Sequence, residues 1–310
     1  MVMGAKRATL RDVATASGVS RATVSLVLRD SPNMSISPAT RERVRQAARD
    51  LGYVPHGIAR ALREGSSRIV VLSVDSGFDG HYARSFTQGL DDELARHGHV
   101  LLVRHGHSAP GSAQQVLDAI APRAVLRLAE NYLQPGHELD DGGWNGGLAG
   151  NTAVQIRYLA ERGHTRIAMA FPDGEPPLGP VRMRFARETT DVLGLAPPRS
   201  FVMPRDRMAG AGAVRAFRAG HSAVSAVAAF DDDVALRVLT ALRDLGLTAP
   251  GDLAVIGFDD NEYGALTMPA LTTVRIDAED HGRSTARTIL GLEPGWLPAA
   301  PAQVIVRESA

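Results

Sequence analysis

The sequence of 310 residues contains no cysteine. Disulfide bonds, thiolate metal sites and thiol nucleophiles are therefore excluded. Long apolar runs are missing too: no segment approaches the roughly 18 uninterrupted apolar residues of a membrane helix. Residues 1–10 hold no apolar stretch of signal-peptide length. We therefore expect a soluble cytoplasmic protein with no membrane partner.

The common enzyme motifs are also absent from the sequence. It has no P-loop, no G-x-G-x-x-G after a strand, no G-x-S-x-G and no H-E-x-x-H. The carboxylates of 231–233 and 259–260 offer the oxygen ligands that Mg²⁺ prefers. A metal-dependent hydrolase is therefore one alternative, although acidic residues after strands more often cap helices. We expect no enzyme, no metal and no cofactor.

Charge is unevenly distributed along the chain. Residues 1–65 carry 11 basic and five acidic residues, and the remainder carries 23 basic and 29 acidic residues. A small basic end on a larger acidic body is typical of nucleic-acid binding.

The first 65 residues fit three short helices. Thr9, Ser20 and Ser37 are suitable N-caps, and Pro38 stands where a first helical turn tolerates proline. Gly18 and Gly52 end the first and third helices. This region is predicted to be an all-α helix-turn-helix head.

From residue 68 onward, strands alternate with helices. Strand patterns occur at 68–74, 100–104, 124–128, 166–171, 200–203, 223–230 and 253–257. Helical patterns occur between them at 84–97, 113–120, 152–162, 181–193, 209–219 and 232–245. Such alternation predicts an α/β body of two doubly wound parallel-sheet subdomains. Ligands bind beyond the carboxyl ends of such strands, so a cleft between the subdomains is a natural small-molecule site.

The segment 9–28, TLRDVATASGVSRATVSLVL, predicts a helix-turn-helix whose second helix enters the DNA major groove. Ser20, Thr23 and Ser25 supply hydroxyl groups near phosphates. Arg21, Ala22 and Leu26 are free to meet base edges. Arg21 is the strong hydrogen-bonding reader, and guanine is its expected partner.

Three blocks of this region resemble the head of the LacI/GalR family of transcriptional regulators. They are the segment 9–28, ISPATRERV at 36–44 and LGYVPHGIARAL at 51–62. The resemblance implies a homodimer on a near-palindromic operator, with a tetramer left open. The DNA contacts expected from the residues and the resemblance together are Thr9, Ser20, Arg21, Ala22, Thr23, Ser25, Leu26, Thr40, Arg41, Tyr53, His56, Ala59 and Leu62.

The resemblance also implies a hinge helix at 56–63, in which Leu62 wedges between base pairs of the minor groove. The alternative is that Leu62 is only a core residue of this helix. His56 departs from the family pattern, and Gly57 disfavours helix by roughly 1 kcal/mol relative to Ala. The expected domains are the head at 1–54, the hinge and linker at 55–67, and the effector-binding and dimerisation body at 68–310.

The resemblance continues through the body, whose implied fold is periplasmic binding protein-like. It is carried by LAERGHTRIA at 159–168, GFDD at 257–260, PALTTV at 269–274 and the closing strand VIVRES at 304–309. We expect His164, at a helix-to-strand corner, to be structural rather than catalytic. The effector contacts implied are Tyr82, Arg182, Asp232 and Asp259. Alternatively, Asp259 is a turn residue and Arg182 is a solvated helix residue.

The expected function is a sequence-specific regulator, a repressor by the resemblance, whose operator affinity changes with a sugar-like or related effector. Two departures leave open which effector binds and whether one exists: GHYA at 80–83 replaces the family's N-P-F-F, and Gly150 replaces an acidic residue before Asn151. A solute-binding protein shares this body but has an export signal and no head. Whether an effector releases or promotes DNA binding is also left open.

Overall fold

The computed structural model describes residues 8–28, 36–53, 67–74, 80–106, 112–134, 136–137, 147–174, 176–293 and 302–310. The chain divides into two compact units. One comprises residues 1–68 with 117–121, and the other comprises 69–116 with 122–310. We call the helices before residue 54 the head, and the second unit the body; the helix at Ser112–Ile120 is described with the body, although its last four residues are grouped with the first unit.

The head contains helices α1 (Leu10–Ser17), α2 (Arg21–Val27) and α3 (Pro38–Asp50). The predicted caps are present, since the hydroxyls of Thr9, Ser20 and Ser37 each accept the backbone N–H three residues later. Gly18 ends α1 in the left-handed conformation, at φ 67°, where glycine has no Cβ to clash. The buried stripes of the three helices form one apolar core around Val13, Val24, Val27, Val44 and Ala48.

The first lobe of the body is built on a parallel sheet. Among the described residues its strands are β1 (Ile69–Val74), β2 (Val100–His105) and β3 (Ala124–Arg127), in the order β2-β1-β3. Its other elements before residue 134 are α4 (His81–Arg96), α5 (Ser112–Ile120) and the single turn α6 (Glu130–Leu133).

The second lobe is also a parallel α/β unit. Its described strands lie in the order β5-β4-β6-β7. In chain order its elements are α7 (Leu148–Glu161), β4 (Ile167–Pro172), α8 (Gly179–Val192), β5 (Arg199–Met203), α9 (Arg207–Gly220), β6 (Ala226–Ala229), α10 (Asp232–Asp244) and β7 (Ala254–Ile256). The alternation predicted from the sequence is therefore confirmed in both lobes.

The C-terminal part of the chain returns to both lobes. A 3₁₀ turn (Glu262–Leu266) precedes strand β8 (Thr273–Arg275), which pairs antiparallel with β9 (Gln303–Ile305). Between them, helix α11 (Ala278–Leu290) packs along α4 of the first lobe. The interface buries Ala278 and Ala286 in the same core as Val70 and Leu72 of β1.

Candidate DNA-reading face and ligand cavity

The exposed residues at the start of α2 form the candidate DNA-reading face. Arg21 and Ala22 are exposed, whereas Leu26 is half-buried beside the core residues Val24 and Val27. The hydroxyls of Ser20 and Thr23 lie 2.9 Å apart within the N-cap. Ser20 is thus already a backbone acceptor, and the N-terminal N–H groups beside it can still meet a phosphate. Ser25 is half-buried on the same helix.

The predicted contacts on α1 and α3 also take part in the fold of the head. Thr9 is exposed and forms a capping box, its hydroxyl donating to Asp12 Oδ2 at 2.7 Å. The Thr40 hydroxyl lies 2.9 Å from that of Ser37, and Arg41 Nε donates to the Ile36 carbonyl at 3.4 Å. Tyr53 packs half-buried against the head core, and this burial raises the pKa of its phenol. The remaining predicted contacts, His56, Ala59 and Leu62, lie outside the described residues.

A cavity of about 710 Å³ lies between the two lobes of the body. This volume suits a small molecule. The walls include Tyr82 and Phe86 of α4, Arg182 of α8, and residues that follow β6 and β7. The cavity thus opens beyond the carboxyl ends of the strands, where α/β sheets bind ligands. Its polar and charged lining residues are Arg127, Glu130, Asn151, Arg182, Asp231, Asp259, Asp280, His281, Ser284, Thr285 and Thr288, together with Tyr82.

Arg182 is a buried residue of the cavity wall, with 2% of its surface exposed. Its two terminal amino groups donate to the Phe230 carbonyl and to Gln155 Oε1, both at 2.7 Å. Its guanidinium carbon lies 3.7 Å from the ring centroid of Phe258. Burial lowers the pKa of Arg182 to about 10, although the nearby carboxylates of Asp259 and Asp231 oppose that shift. The alternative that Arg182 is a solvated helix residue is wrong.

Gln155 extends the contacts of Arg182 to the strand ends. Its side-chain amide is fully buried and donates to the carbonyls of Ala229 and Gly257, each at 2.9 Å. Since Ala229 ends β6 and Gly257 follows β7, the Arg182–Gln155 pair holds these two strand ends in register. Gln155 could not be predicted from the sequence, because a polar residue inside an amphipathic helix carries no signal of its own.

Asp232 corrects the predicted effector set, because it is a structural residue outside the cavity lining. It is 1% exposed, and its carboxylate accepts the backbone N–H of Phe258 at 2.7 Å. It also accepts the N–H of Asn261 at 2.6 Å and the hydroxyl of Thr273 at 2.5 Å. Burial raises the pKa of Asp232 to about 7, and these three donors limit the shift. Asp232 therefore fastens the segment after β7 to α10.

Asp231, one residue earlier, lines the cavity instead. Its Oδ1 accepts the Val234 backbone N–H at 2.7 Å and caps α10, as expected of an acidic residue after a strand. Burial raises the pKa of Asp231, and the carboxylate of Asp233 adds to the shift. The sequence presents both carboxylates after the strand, but it does not show which of them borders the cavity.

Asp259 and Tyr82 connect the two lobes across the cavity. The Asp259 carboxylate, which follows β7, accepts the backbone N–H of Tyr82 in the first turn of α4. Gly80, the N-cap of α4, has no side chain to accept a hydrogen bond, so the Asp259 carboxylate acts as the acceptor at this helix start. Asp259 has φ 102°, a conformation rare outside glycine but tolerated best by Asp and Asn. The alternative expectation is that Asp259 is a turn residue at a strand end. Asp259 does follow a strand, but it also lines the cavity.

The charge environment of Asp259 is unfavourable to ionisation. Burial raises the pKa of this carboxyl well above its ordinary value, and the carboxylates of Asp231 and Asp232 raise it further. The positive charge of Arg182 and the Tyr82 N–H act in the opposite direction. On the facing wall, the Tyr82 hydroxyl lies 3.2 Å from His281 Nδ1.

His164 and the acidic runs have structural roles in the second lobe. His164 Nδ1 lies 2.9 Å from the Ser225 hydroxyl, an arrangement that ties the α7–β4 corner to the start of β6 and agrees with the structural prediction. Asp260 accepts from Arg275 Nε at 2.6 Å and from Arg307 at 2.8 Å. Within the described residues, no group of three or more His, Asp or Glu side chains is arranged to hold a metal ion. Nor does any described helix have the length and apolar character to cross a membrane.

Two family models match the chain. Residues 9–56 match the model of bacterial regulatory proteins of the lacI family. Residues 156–309 match the model of the periplasmic binding protein-like domain. The two matches fall on the head with the segment following it, and on the second lobe with the C-terminal part.

Relatives and solved structures cover nearly the whole chain. The HTH-type transcriptional regulator CelR of Thermobifida fusca is 30% identical over 92% of both chains. The regulator GalR of Escherichia coli K12 is 28% identical over 92% of this chain and 89% of its own. A lac repressor dimer bound to operator and an anti-inducer has the same fold, with a TM-score of 0.78 at 20% identity over 98% and 99% of the two chains. A CelR–cellobiose complex matches with a TM-score of 0.60 at 25% identity over 98% of this chain and all of the other. The chain therefore belongs to the lacI family of bacterial DNA-binding transcriptional regulators.

Proposed function

We propose that this protein represses transcription from a near-palindromic operator and that a small polyhydroxylated effector in the body cavity changes its operator affinity. The observation that carries this proposal is that one chain joins a capped helix-turn-helix to an α/β body with a cavity of about 710 Å³ between its lobes. Relatives named as repressors include CytR of Escherichia coli K12, 28% identical over 91% of this chain. The named ligand of the CelR complex, cellobiose, is a sugar.

In the proposed DNA complex, the start of α2 enters the major groove. Arg21 and Ala22 are exposed there and meet base edges, while Ser20, Thr23 and Ser25 lie near the phosphates. Leu26 has only its half-buried apolar side chain to offer, which suits a thymine methyl group. The DNA backbone is contacted from the rest of the head by Thr9, Thr40, Arg41 and Tyr53. His56, Ala59 and Leu62 remain proposed hinge contacts on the evidence of the sequence.

In the proposed effector complex, Tyr82 packs on an apolar face of the ligand, and Asp259 accepts from its hydroxyls. Asp231 takes the place that was expected for Asp232. Arg182 acts mainly by positioning, because its terminal amino groups already hold Phe230 and Gln155. Ligand binding then biases the closure of the two lobes, since any ligand shifts a conformational equilibrium by its differential affinity for the two states.

We further propose that the protein acts by binding and not by catalysis, in the cytoplasm and in association with the nucleoid. In support, relatives that cover nearly the whole chain are named as transcriptional regulators, and Asp232 holds three donors outside the cavity lining. Turnover of a bound sugar that stops when a chelator is added would contradict this part.

The deciding experiment is selection of bound DNA from a random pool by the full chain. We expect recovered sites with two-fold symmetry and guanine at a fixed position of each half-site. Candidate sugars are then added to the complex, and operator affinity is measured with the wild type and with Asp259→Asn. An effector-dependent change that the variant loses supports the proposal. Recovered sites without any shared sequence, or an affinity that no sugar changes, would count against it.

A further inference from the structure

The wall of the cavity formed by the second lobe carries more acid than base. Asp231 and Asp259 both line it, and the buried guanidinium of Arg182 interacts with both. Arg237, outside the cavity lining, acts on Asp231 as well. Among the described residues that line this wall, two carboxylates thus share one positive charge. A buried carboxylate without a matching cation is costly, because water no longer stabilises its charge.

Arg182 neutralises these carboxylates only through space. Its terminal amino groups are bound to Phe230 and Gln155, and in the described part of the chain its Nε atom is buried without any acceptor. The arginine therefore stands as a fixed charge with one unused donor beside the cavity.

Both carboxylates keep unused acceptor capacity. Asp231 accepts through Oδ1 from Val234, and Asp259 accepts from the Tyr82 N–H. An ionised carboxylate offers about four acceptor positions, so most positions on each group are left for a ligand.

The facing wall does not correct the imbalance. Arg127 and Glu130 supply one charge of each sign, and Asp280 is paired with Arg283. The other groups there are apolar or neutral, including the stacked rings of Tyr82 and Phe86, whose centroids lie 6.1 Å apart. Among the residues that line the cavity, acidic side chains therefore outnumber basic ones, and the excess lies on the Asp231–Asp259 side.

A neutral sugar would not need this arrangement. Amide oxygens accept hydroxyl hydrogen bonds without repelling one another, whereas the carboxylate of Asp231 disfavours ionisation of Asp259, and carboxylates gain most from a positively charged donor. Resting on the effector role proposed above, we propose that the ligand is a small amine-bearing polyol, such as an amino sugar, whose ammonium group lies between the carboxylates of Asp231 and Asp259.

The test compares matched sugars that differ only at one substituent. The purified full chain is titrated with D-glucosamine, D-glucose and N-acetyl-D-glucosamine, and with the three galactose equivalents, and binding is followed by calorimetry and thermal shift. We expect the free amine of at least one series to bind about tenfold or more tightly than its hydroxyl and N-acetyl partners. Operator affinity is measured in the same samples.

Three variants separate charge from structure. Asp231→Asn keeps a good N-cap, and Asp259→Asn keeps a residue that tolerates positive φ, so both are expected to fold and to bind operator. Each should weaken amine binding by about tenfold or more. The control is Asp191→Asn, which removes an exposed carboxylate near the end of α8, outside the cavity lining, and should leave amine binding unchanged.

Several outcomes would overturn the inference. Neutral sugars binding as tightly as the amines would remove the cationic ligand while leaving the effector role in place. A second outcome would also remove the cationic ligand: Mg²⁺ alone stabilises the wild type but stabilises neither Asn variant. The two carboxylates would then bind a metal ion. Amine binding that survives both Asn substitutions would place the ammonium elsewhere, and no binding in either series would refute the amino-sugar class. An operator affinity that no bound ligand changes would refute the effector role itself.

Discussion

Asp231 and Asp232 are neighbours in the sequence with opposite surroundings. Asp231 borders the cavity, whereas Asp232 turns into the protein and accepts three hydrogen bonds. Gly257 is part of this arrangement, because a Cβ atom there would overlap Oδ1 of Asp232. A family pattern of adjacent acids does not reveal which one points inward. That choice is visible only in the folded chain, where Asp232 meets the backbone N–H groups of Phe258 and Asn261.

The buried carboxyl of Asp259 gives a prediction about pH. Its pKa is raised in the folded protein by burial and by two neighbouring carboxylates, so the folded state keeps this proton to higher pH than the unfolded chain, whose Asp pKa is about 3.9. This contribution to stability is present below about pH 4 and is lost as pH rises through the folded pKa. We therefore expect Asp259→Asn to gain in melting temperature relative to the wild type as pH increases from about 4 to about 8.

Melting curves across that pH range provide the measurement. Asp191→Asn serves as the control for simple loss of one negative charge at an exposed position. A melting-temperature difference between Asp259→Asn and the wild type that stays constant with pH would show that the Asp259 carboxyl titrates as it does in the unfolded chain.

The exposed side chain of Arg21 gives a prediction about specificity. Because one bidentate contact to guanine contributes roughly 1–3 kcal/mol of discrimination, Arg21→Ala should cost about that much in operator affinity and relax one position per half-site. Binding to a panel of operator variants with single base changes measures it. Arg215→Ala, an exposed arginine of α9 in the body, is the control and should bind like the wild type. An equal loss of affinity on every sequence would mean that Arg21 touches only phosphate.

At the scale of the element, the long helices and the central strands could be predicted from apolar periodicity and caps. The α/β order was confirmed, as were the caps Thr9, Ser20 and Ser37. The starts of α4 and α7 were predicted three to four residues late, because Gly80 and Gly147 provide no side-chain cap. The antiparallel pairing of β8 with β9 was also missed, since three-residue strands show too few alternations.

The crossing of α4 and α11 gives a prediction about stability. Gly89 and Gly282 face the partner helix so closely that a Cβ at Gly89 would overlap the Glu279 carbonyl, and one at Gly282 would overlap the Phe86 carbonyl. Backbone cannot yield as a flexible side chain does, so Gly89→Ala should force the helices apart and cost about 1–3 kcal/mol or more of unfolding free energy.

Chemical denaturation measures that loss, and α9 offers a matched control. Gly212 is also a helical glycine, but a Cβ there would meet nothing within 4 Å. Gly212→Ala should therefore stabilise the protein by up to about 1 kcal/mol. If Gly89→Ala behaved like Gly212→Ala, the close approach of the two helices would not exist in solution.

At the scale of the whole molecule, one short reading helix per chain predicts a homodimer on a two-fold symmetric site. Affinity should fall steeply with salt, because the basic head displaces counterions from the phosphates. Sedimentation of the complex and binding at several salt concentrations test both statements. A single chain on an asymmetric site, or an affinity insensitive to salt, would contradict the prediction.

The site as a whole was only partly predictable. Tyr82, Arg182 and Asp259 come together at one cavity, although they lie on different elements far apart in the sequence. The family resemblance supplied that grouping, since no local pattern links them. It could not supply the burial of Arg182, the exchange of Asp232 for Asp231 or the role of Gln155, because these depend on side-chain packing.

The placement of α11 has a consequence for synthesis of the protein. Among the described strands of the first-lobe sheet, the last one in the chain ends at Arg127. The helix that completes the core of this lobe ends at Leu290, late in the chain. At about 5–20 residues per second, a ribosome adds the intervening chain in roughly 10–30 seconds. During that interval the apolar face of α4 that α11 covers, including Phe86 and Leu90, stays without its partner. The first lobe is thus synthesised early but completed late. In the meantime it exposes apolar surface of the kind that chaperones bind.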